Sequence, residues 1–198
     1  MRGLKRVPAS MNETATALKE WAVICRALET GKQSLLLRKG GIAERPSGFR
    51  PENDSFWLYP TQFHQGAEQL VPAFAPLLNE IEEMRTAAGQ TVIRTWAVVE
   101  QIEYLTSIEQ VLALSGLHGW TDDVVRQRFA YKRPGLLLFV LRVFRAAESV
   151  AVTESVAMAG CKSWVELPAP ISFDNLPPVL TDAAHESAFA EIRRRLAL

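Results

Sequence analysis

Residues 55–65, SFWLYPTQFHQ, combine an apolar strand pattern with several side chains that can form hydrogen bonds. The polar end of this run holds Tyr59, Thr61, His64 and Gln65. Hydroxyl, imidazole and amide groups can recognise the edges of bases, and a tyrosine ring offers a stacking surface. A ligand cleft would explain this concentration of polar groups, and so would a core corner in which every polar group is satisfied.

Two cations, Arg38 and Lys39, follow three leucines and enter a glycine turn in the run LLLRKGG. A cation in that position must either leave the buried region or pair with a carboxylate. A polar loop then returns the chain to residues 55–65, so we expect Arg38 to face the same cleft as the polar end of that run. The sequence therefore predicts a ligand site formed by Arg38, Lys39, Tyr59, Thr61, His64 and Gln65, with Trp57 in the core beside it.

A second basic segment, RQRFAYKRP at 126–134, alternates cations with aromatic rings. Such interleaving suits an RNA backbone, and a solvated helix end whose cations complement the helix dipole is the alternative. The candidate nucleic-acid patch consists of Arg126, Arg128, Lys132 and Arg133 around Phe129 and Tyr131.

The composition predicts a single globular domain. The chain has 198 residues, of which 48% are hydrophobic and 22% charged, and its net charge is zero. A zero net charge excludes a global positive field, so any nucleic-acid binding must come from a local patch. We expect residues 1–13 to form a disordered tail and residues 14–198 to form the domain.

The cellular setting is predicted from the terminus and the cysteines. The N-terminus has no apolar segment of a secretory signal, and the longest apolar run, at 135–144, is interrupted by Arg142. We therefore expect no membrane association. Two cysteines, Cys25 and Cys161, suit a reducing cytoplasm. The oligomeric state is left open by these patterns.

Periodicity predicts an α+β fold. We expect a helix from Thr14 to Gly31, although Trp21, Val23 and Cys25 also alternate as in a strand. Strands are predicted at 33–42, 56–61, 91–105, 135–146 and 161–167. Helices are predicted from Pro76 to Gly89, with Leu77, Ile81 and Met84 facing inward, and after the caps Ser107, Thr121 and Thr181.

Motifs for catalysis, metals and cofactors are not found. The sequence has no Walker loop, CxxC, HExxH, GxSxG or GxGxxG pattern. Its three histidines, His64, His118 and His185, lie far apart and have no ligand spacing. We predict no metal and no cofactor, and the question of catalysis stays open.

Six segments in order resemble a bacterial family, domain of unknown function 1802: LKEWAVICRAL, LLLRKGGI, FWLYPTQFHQ, LHGWTDD, RPGLLLFVLRVFR and GCKSWVEL. The resemblance covers residues 18–180 and implies membership without an activity.

A narrower resemblance is to the ASCH domains of the PUA-like superfamily. Their entry pattern is a helix, a glycine, a lysine, and a strand with an arginine seven residues after the glycine, which Gly31, Lys32 and Arg38 resemble. The lysine stands one position earlier here, and Leu36 replaces the glutamate that precedes the arginine by two residues. The resemblance implies a mixed, partly closed sheet of the PUA-like barrel type with peripheral helices, and a cleft for RNA or a modified base. It adds Lys32 to the predicted ligand site.

Three functions remain open on the sequence. The first is a binding module for RNA or a modified base, which uses the predicted cleft. The second is a hydrolase or nuclease that pairs His64 with a carboxylate such as Glu44 or Glu166 in the same cleft. The third is a protein-interaction domain without a small ligand.

Overall fold

A six-stranded mixed sheet forms the centre of the computed structural model, which describes residues 12–39, 42–45, 48–51, 53–61, 66–84, 89–160 and 162–197. The strands of this sheet are β1 (Glu13–Trp21), β2 (Leu35–Arg38), β5 (Ser55–Thr61), β6 (Gln90–Leu105), β7 (Leu136–Thr153) and β8 (Trp164–Ser172). A separate hairpin consists of β3 (Ile42–Arg45) and β4 (Gly48–Pro51). The helices are α1 (Ala22–Glu29), α2 (Pro76–Glu83), α3 (Ile108–Ala113), α4 (Asp122–Ala130) and α5 (Asp182–Leu196).

The predicted α+β class with a mixed sheet and peripheral helices is confirmed. The strand order is β2-β7-β6-β5-β1-β8, and β1 and β5 are the parallel pair while the other pairings are antiparallel. The sheet is not closed, since β2 and β8 end it on either side. β6 lies in mid-sheet, between β7 and β5.

The first element is a correction. Residues 14–21 belong to a strand and only Ala22–Glu29 are helical, so the predicted helix from Thr14 is wrong over its first half. β1 pairs with β5 on one side and with β8 on the other. This pairing outweighs the helix propensity of the alanine, leucine, lysine and glutamate residues, which is a weak preference.

Both faces of the sheet are buried around β5. Phe56 and Leu58 belong to the main core beneath α1, whereas Trp57 and Tyr59 belong to a second core. That second core is built almost entirely from strand residues of β1, β5, β6, β7 and β8, so the sheet curls around it. Register shifts in β6, at Ile93/Thr95 and at Val99/Gln101, are bulges of the kind that bend strands.

The predicted helix caps are confirmed. The hydroxyls of Ser107, Thr121 and Thr181 each accept a hydrogen bond from a backbone N–H of the first turn that follows. Pro76 occupies the first turn of α2, as predicted. Two details differ: α2 ends at Glu83 instead of reaching Gly89, and Met84 is 36% exposed instead of facing inward.

The first described residues overlap the last two positions of the predicted tail. β1 begins at Glu13, and Asn12 donates to Asp174 at 2.5 Å, so residues 12 and 13 lie within the fold. Residues 1–11 lie outside the described residues. No helix in the described ranges is long and apolar enough to cross a membrane.

Candidate functional site

A cleft of about 1070 Å³ opens where the parallel strands β1 and β5 end. Their last residues, Lys19–Trp21 and Leu58–Thr61, line it together with α1, the end of β2 and the start of β6. In parallel sheets the carboxyl ends of strands are the usual place for ligands. The position of this cleft therefore follows from the β1–β5 pairing.

The cleft is strongly basic although the chain as a whole is neutral. Among the described residues, seven cations line it: Lys19, Arg26, Arg38, Lys39, Arg94, Arg128 and Lys162. Three carboxylates of the same described lining accompany them: Glu20, Glu29 and Glu154. A concave surface lined by an excess of one charge concentrates ions of the opposite sign. The described lining therefore favours anions.

Arg38 is held by a buried carboxylate. Its Nη1 donates to Oε2 of Glu20 at 2.6 Å and to the carbonyl of Lys19 at 3.1 Å. The two side chains are only 12% and 6% exposed. The sequence left open whether this cation leaves the buried region or pairs with a carboxylate, and the structure shows the pairing. Arg38 also lines the cleft together with Tyr59 and Thr61.

Arg128 belongs to the cleft and not to the surface. Its guanidinium lies 5.5 Å from the ring centroid of Trp21 and 4.5 Å from that of Trp120, and the two rings meet edge to face. Burial lowers the pKa of Arg128 from its ordinary value, while Glu20 opposes that shift. Trp21 itself is half-buried and lines the cleft, so it provides an aromatic surface there.

Tyr59 contributes a hydroxyl and not a ring face. The residue is 2% exposed, and its hydroxyl donates to Oε1 of Glu154 at 3.2 Å, where Thr91 also donates at 3.0 Å. Burial raises the pKa of Tyr59 and the Glu154 charge adds to the rise, so the phenol stays protonated. The Tyr59 ring thus packs in the second core, which is the core alternative that the sequence left open for it. The prediction that Trp57 is a core residue is confirmed, because it is fully buried.

The structure places the remaining predicted ligand-binding residues differently from one another. Lys39 lines the cleft, but its Nζ donates to the carbonyls of Phe129, Arg133 and Gly135 and so ties β2 to the end of α4. Lys32 is exposed and lies outside the cleft lining. His64 and Gln65 lie outside the described residues.

The second basic segment keeps three of its four cations on the surface. Arg126, Lys132 and Arg133 are exposed, and Tyr131 beside them is 57% exposed. Lys132 lies over the Tyr131 ring at 5.2 Å from its centroid. These residues form a patch separate from the lining of the cleft.

Catalytic pairs are not apparent in the part of the chain that the structure describes. Glu166 is exposed on β8 and does not line the cleft, and the side chain of Glu44 is outside the described residues. His118 is buried away from the cleft, and His185 pairs with Glu100 at 2.6 Å. Cys25 lines the cleft, but burial raises the pKa of its thiol well above the ordinary value, so a thiolate nucleophile is disfavoured.

Several cleft residues were missed by the sequence reading. They are Lys19, Glu20, Trp21, Arg26, Glu29, Arg94, Glu154 and Lys162. The first three end β1, and reading that segment as a strand would have placed them beside the end of β5. The strand-like alternation of Trp21, Val23 and Cys25 was the sequence signal for this strand.

Comparison with known families decides the membership of the chain. A model of the domain of unknown function DUF1802 matches residues 17–191. The chain belongs to the DUF1802 family. The family predicted from the six sequence segments is thereby confirmed. No curated protein matches the chain.

Solved structures of the ASCH type resemble this DUF1802 chain. The crystal structure of ASCH from Zymomonas mobilis has 11% identity and a TM-score of 0.44, and the match covers 88% of this chain and 93% of that one. A tyrosine-to-phenylalanine mutant of the same Zymomonas mobilis protein has 11% identity and a TM-score of 0.41, with 88% and 96% covered. Both are ASCH proteins, the type that the narrower sequence resemblance indicated.

Proposed function

We propose that this DUF1802 chain is a cytoplasmic binding module for RNA or a modified base, and that the ligand occupies the cleft at the ends of β1 and β5. The observation that carries the proposal is the charge of the described cleft lining, where seven cations face three carboxylates, although the chain as a whole has 22 charges of each sign. Most affinity for nucleic acids comes from neutralising phosphates.

The chemistry of the lining supports the same ligand. Trp21 supplies an aromatic surface, and base stacking on aromatic rings tolerates any base. The hydroxyls of Tyr59 and Thr61 and the carboxylate of Glu154 lie on the same lining and can bond to base edges or to ribose. Phosphate, stacking and edge recognition are therefore available within one cavity.

The interaction-domain alternative finds less support. The large apolar side chains that are exposed among the described residues are Met84, Tyr131, Val150 and Val156, and they come from four different segments. A protein-binding surface is expected to gather such side chains into one patch.

Salt-dependent RNA binding by the intact protein tests the proposal. Fluorescence anisotropy with a labelled single-stranded RNA of about twelve nucleotides should show binding that weakens as salt is raised from roughly 50 to 200 mM. Lys162→Glu reverses an exposed cation of the cleft and should lower the affinity by roughly tenfold. Arg193→Glu reverses an exposed cation on α5, away from the cleft, and serves as the control.

Two results would overturn the proposal. One is the lack of any binding to RNA or to modified nucleosides at low salt. The other is RNA binding that Lys162→Glu and Arg193→Glu reduce equally, because binding would then depend on overall charge and not on the cleft.

A further inference from the structure

One face of α1 forms a wall of the cleft from end to end. Ala22, Cys25, Arg26 and Glu29 line the cleft, and their spacing of three, four and seven places them on the same side of the helix. The helix has eight residues, which at about 1.5 Å each gives roughly 12 Å of length. The cleft is therefore elongated along this helix.

A cluster of two arginines and one glutamate lies at the start of α1. Glu20 precedes the helix and pairs with Arg38 at 2.6 Å. Arg128 also interacts with the Glu20 charge while its guanidinium lies over Trp21. Among the described residues, two guanidinium groups share one carboxylate here, so the described part of this end carries more positive than negative charge.

A second arginine cluster lies at the end of α1. Glu29, the last residue of the helix, is 6% exposed and lies 3.2 Å from Arg26, 3.6 Å from Arg94 and 3.2 Å from Arg145. Arg26 also pairs with Glu80 at 2.8 Å. Within the part of the chain that the structure describes, three guanidinium groups face two carboxylates, so this end is positive as well. Arg26 and Arg94 line the cleft, whereas Arg145 does not.

We propose that the two clusters bind two separate phosphates of one short single-stranded RNA, so that the ligand is an oligonucleotide and not a free base or nucleoside. This inference rests on the proposed RNA function and chooses between its two ligand classes. Each cluster retains a partly buried positive charge that a phosphate would neutralise through hydrogen bonds assisted by charge. A free base has no anionic group for either cluster.

The dimensions agree with this ligand. The roughly 12 Å length of α1 corresponds to about three or four nucleotide steps at the ~3.4 Å rise per nucleotide of a stacked strand, and to fewer steps in an extended strand. The cleft volume of about 1070 Å³ is slightly above the ~300–1,000 Å³ range of small-molecule sites. The space accordingly suits more than one nucleotide.

A length series measures the inference directly. Adenosine, AMP and 5′-phosphorylated oligoadenylates of two to five nucleotides would compete with a labelled RNA for the intact protein. The affinity should rise by at least roughly tenfold between AMP and the tetranucleotide, because only the longer ligand reaches both clusters. Adenosine or AMP binding as tightly as the tetranucleotide would overturn the inference and leave the RNA or modified-base function standing. If no RNA or nucleoside binds, the proposed function itself fails.

A matched pair of variants tests whether the cluster at the end of α1 binds one of the two phosphates. Arg94 and Arg145 both contact Oε1 of Glu29, but only Arg94 lines the cleft. Arg94→Gln should weaken the tetranucleotide by roughly tenfold and AMP by less than about twofold, since one charged contact to phosphate is lost. Arg145→Gln should change neither, and in both variants Glu29 keeps two arginine partners that support the fold.

Two outcomes of this comparison would contradict the inference. Equal losses in Arg94→Gln and Arg145→Gln would indicate an effect on Glu29 and the fold, which melting temperatures would reveal. Inorganic polyphosphate that competes as well as the tetranucleotide would show that the clusters recognise charge alone and that the ligand is not an oligonucleotide.

Discussion

The Nη1 atom of Arg38 lies 2.6 Å from Oε2 of Glu20, and this contact joins the last residue of β2 to the end of β1 in the lining of the cleft. β2 and β1 are not neighbours in the sheet, because β7, β6 and β5 lie between them. The ion pair therefore connects two strands that are distant in the sheet. Glu20 fixes the orientation of Arg38, and loss of Arg38 would leave the Glu20 carboxylate buried without that countercharge.

Loss of the Arg38 side chain should destabilise the protein. Arg38→Ala leaves the Glu20 carboxylate buried beside one remaining arginine, and breaking a buried ion pair costs about 3 kcal/mol or more. The free energy of unfolding in urea would measure this cost. Arg38→Gln combined with Glu20→Gln removes both charges and should recover much of the loss. A loss well under about 1 kcal/mol in Arg38→Ala would show that the pair does not support the fold.

Trp57→Ala should be severely destabilising. Trp57 is fully buried and meets Trp96 edge to face at 5.3 Å, so truncation leaves a large cavity in the second core. The expected loss is about 3 kcal/mol or more in the free energy of unfolding. Tyr131→Ala, at a ring that is 57% exposed, should cost less than about 0.5 kcal/mol. A Trp57→Ala loss below about 1 kcal/mol would contradict its position in the core.

Lys39 and Lys32 should differ in their effect on stability. The ammonium group of Lys39 donates to the carbonyl of Phe129 in α4 and to two carbonyls in the connection from α4 to β7, whereas Lys32 is exposed. Lys39→Met should lower the free energy of unfolding by about 2 kcal/mol, since hydrogen bonds from a charged donor are lost. Lys32→Met should change it little. Similar values for the two variants would mean that the contacts of Lys39 contribute nothing to stability.

Acid should weaken the fold through His118. This side chain is 1% exposed, its Nδ1 accepts from the N–H of Trp120, and burial lowers its pKa from 6.5 to about 4. Above pH 6.5 the imidazole is neutral in both folded and unfolded chains. As the pH falls from 6.5 towards 4, the unfolded chain takes up the proton first and stability declines.

The His118 contribution has a defined slope. The loss should approach about 1.4 kcal/mol per pH unit within that window and level off below it. Unfolding free energies measured between pH 7 and pH 4 for the wild type and for His118→Gln would isolate it, because the variant lacks this titration. The same slope in both proteins would contradict the buried neutral histidine.

Much of the fold could be predicted because its signals are local. The caps Ser107, Thr121 and Thr181 and the apolar runs that became β5, β6 and β7 are visible within a few residues. The segment Glu13–Trp21 could not be assigned in this way. Its partners, β5 and β8, lie far along the chain, and pairing with them decides its conformation.

The missed strand explains the missed half of the site. The importance of Arg38 could be predicted because a cation after three leucines must either reach solvent or pair with a carboxylate. The identity of its partner, Glu20, could not be predicted because it depends on the end of β1. The Glu29 cluster gathers Arg26, Arg94 and Arg145 from one helix and two strands. Such a cluster has no spacing in the sequence that would reveal it.

Ultraviolet cross-linking of bound RNA, with mass spectrometry of the attached peptides, tests the central claim that the cleft is the nucleic-acid site. The cross-linked peptides should contain the end of β1 with Trp21 and the start of α1, because a base at Trp21 would stack there. Lys162→Glu should reduce those cross-links. RNA attached only to the exposed segment with Tyr131, between Arg126 and Arg133, would contradict the cleft and assign binding to the surface patch.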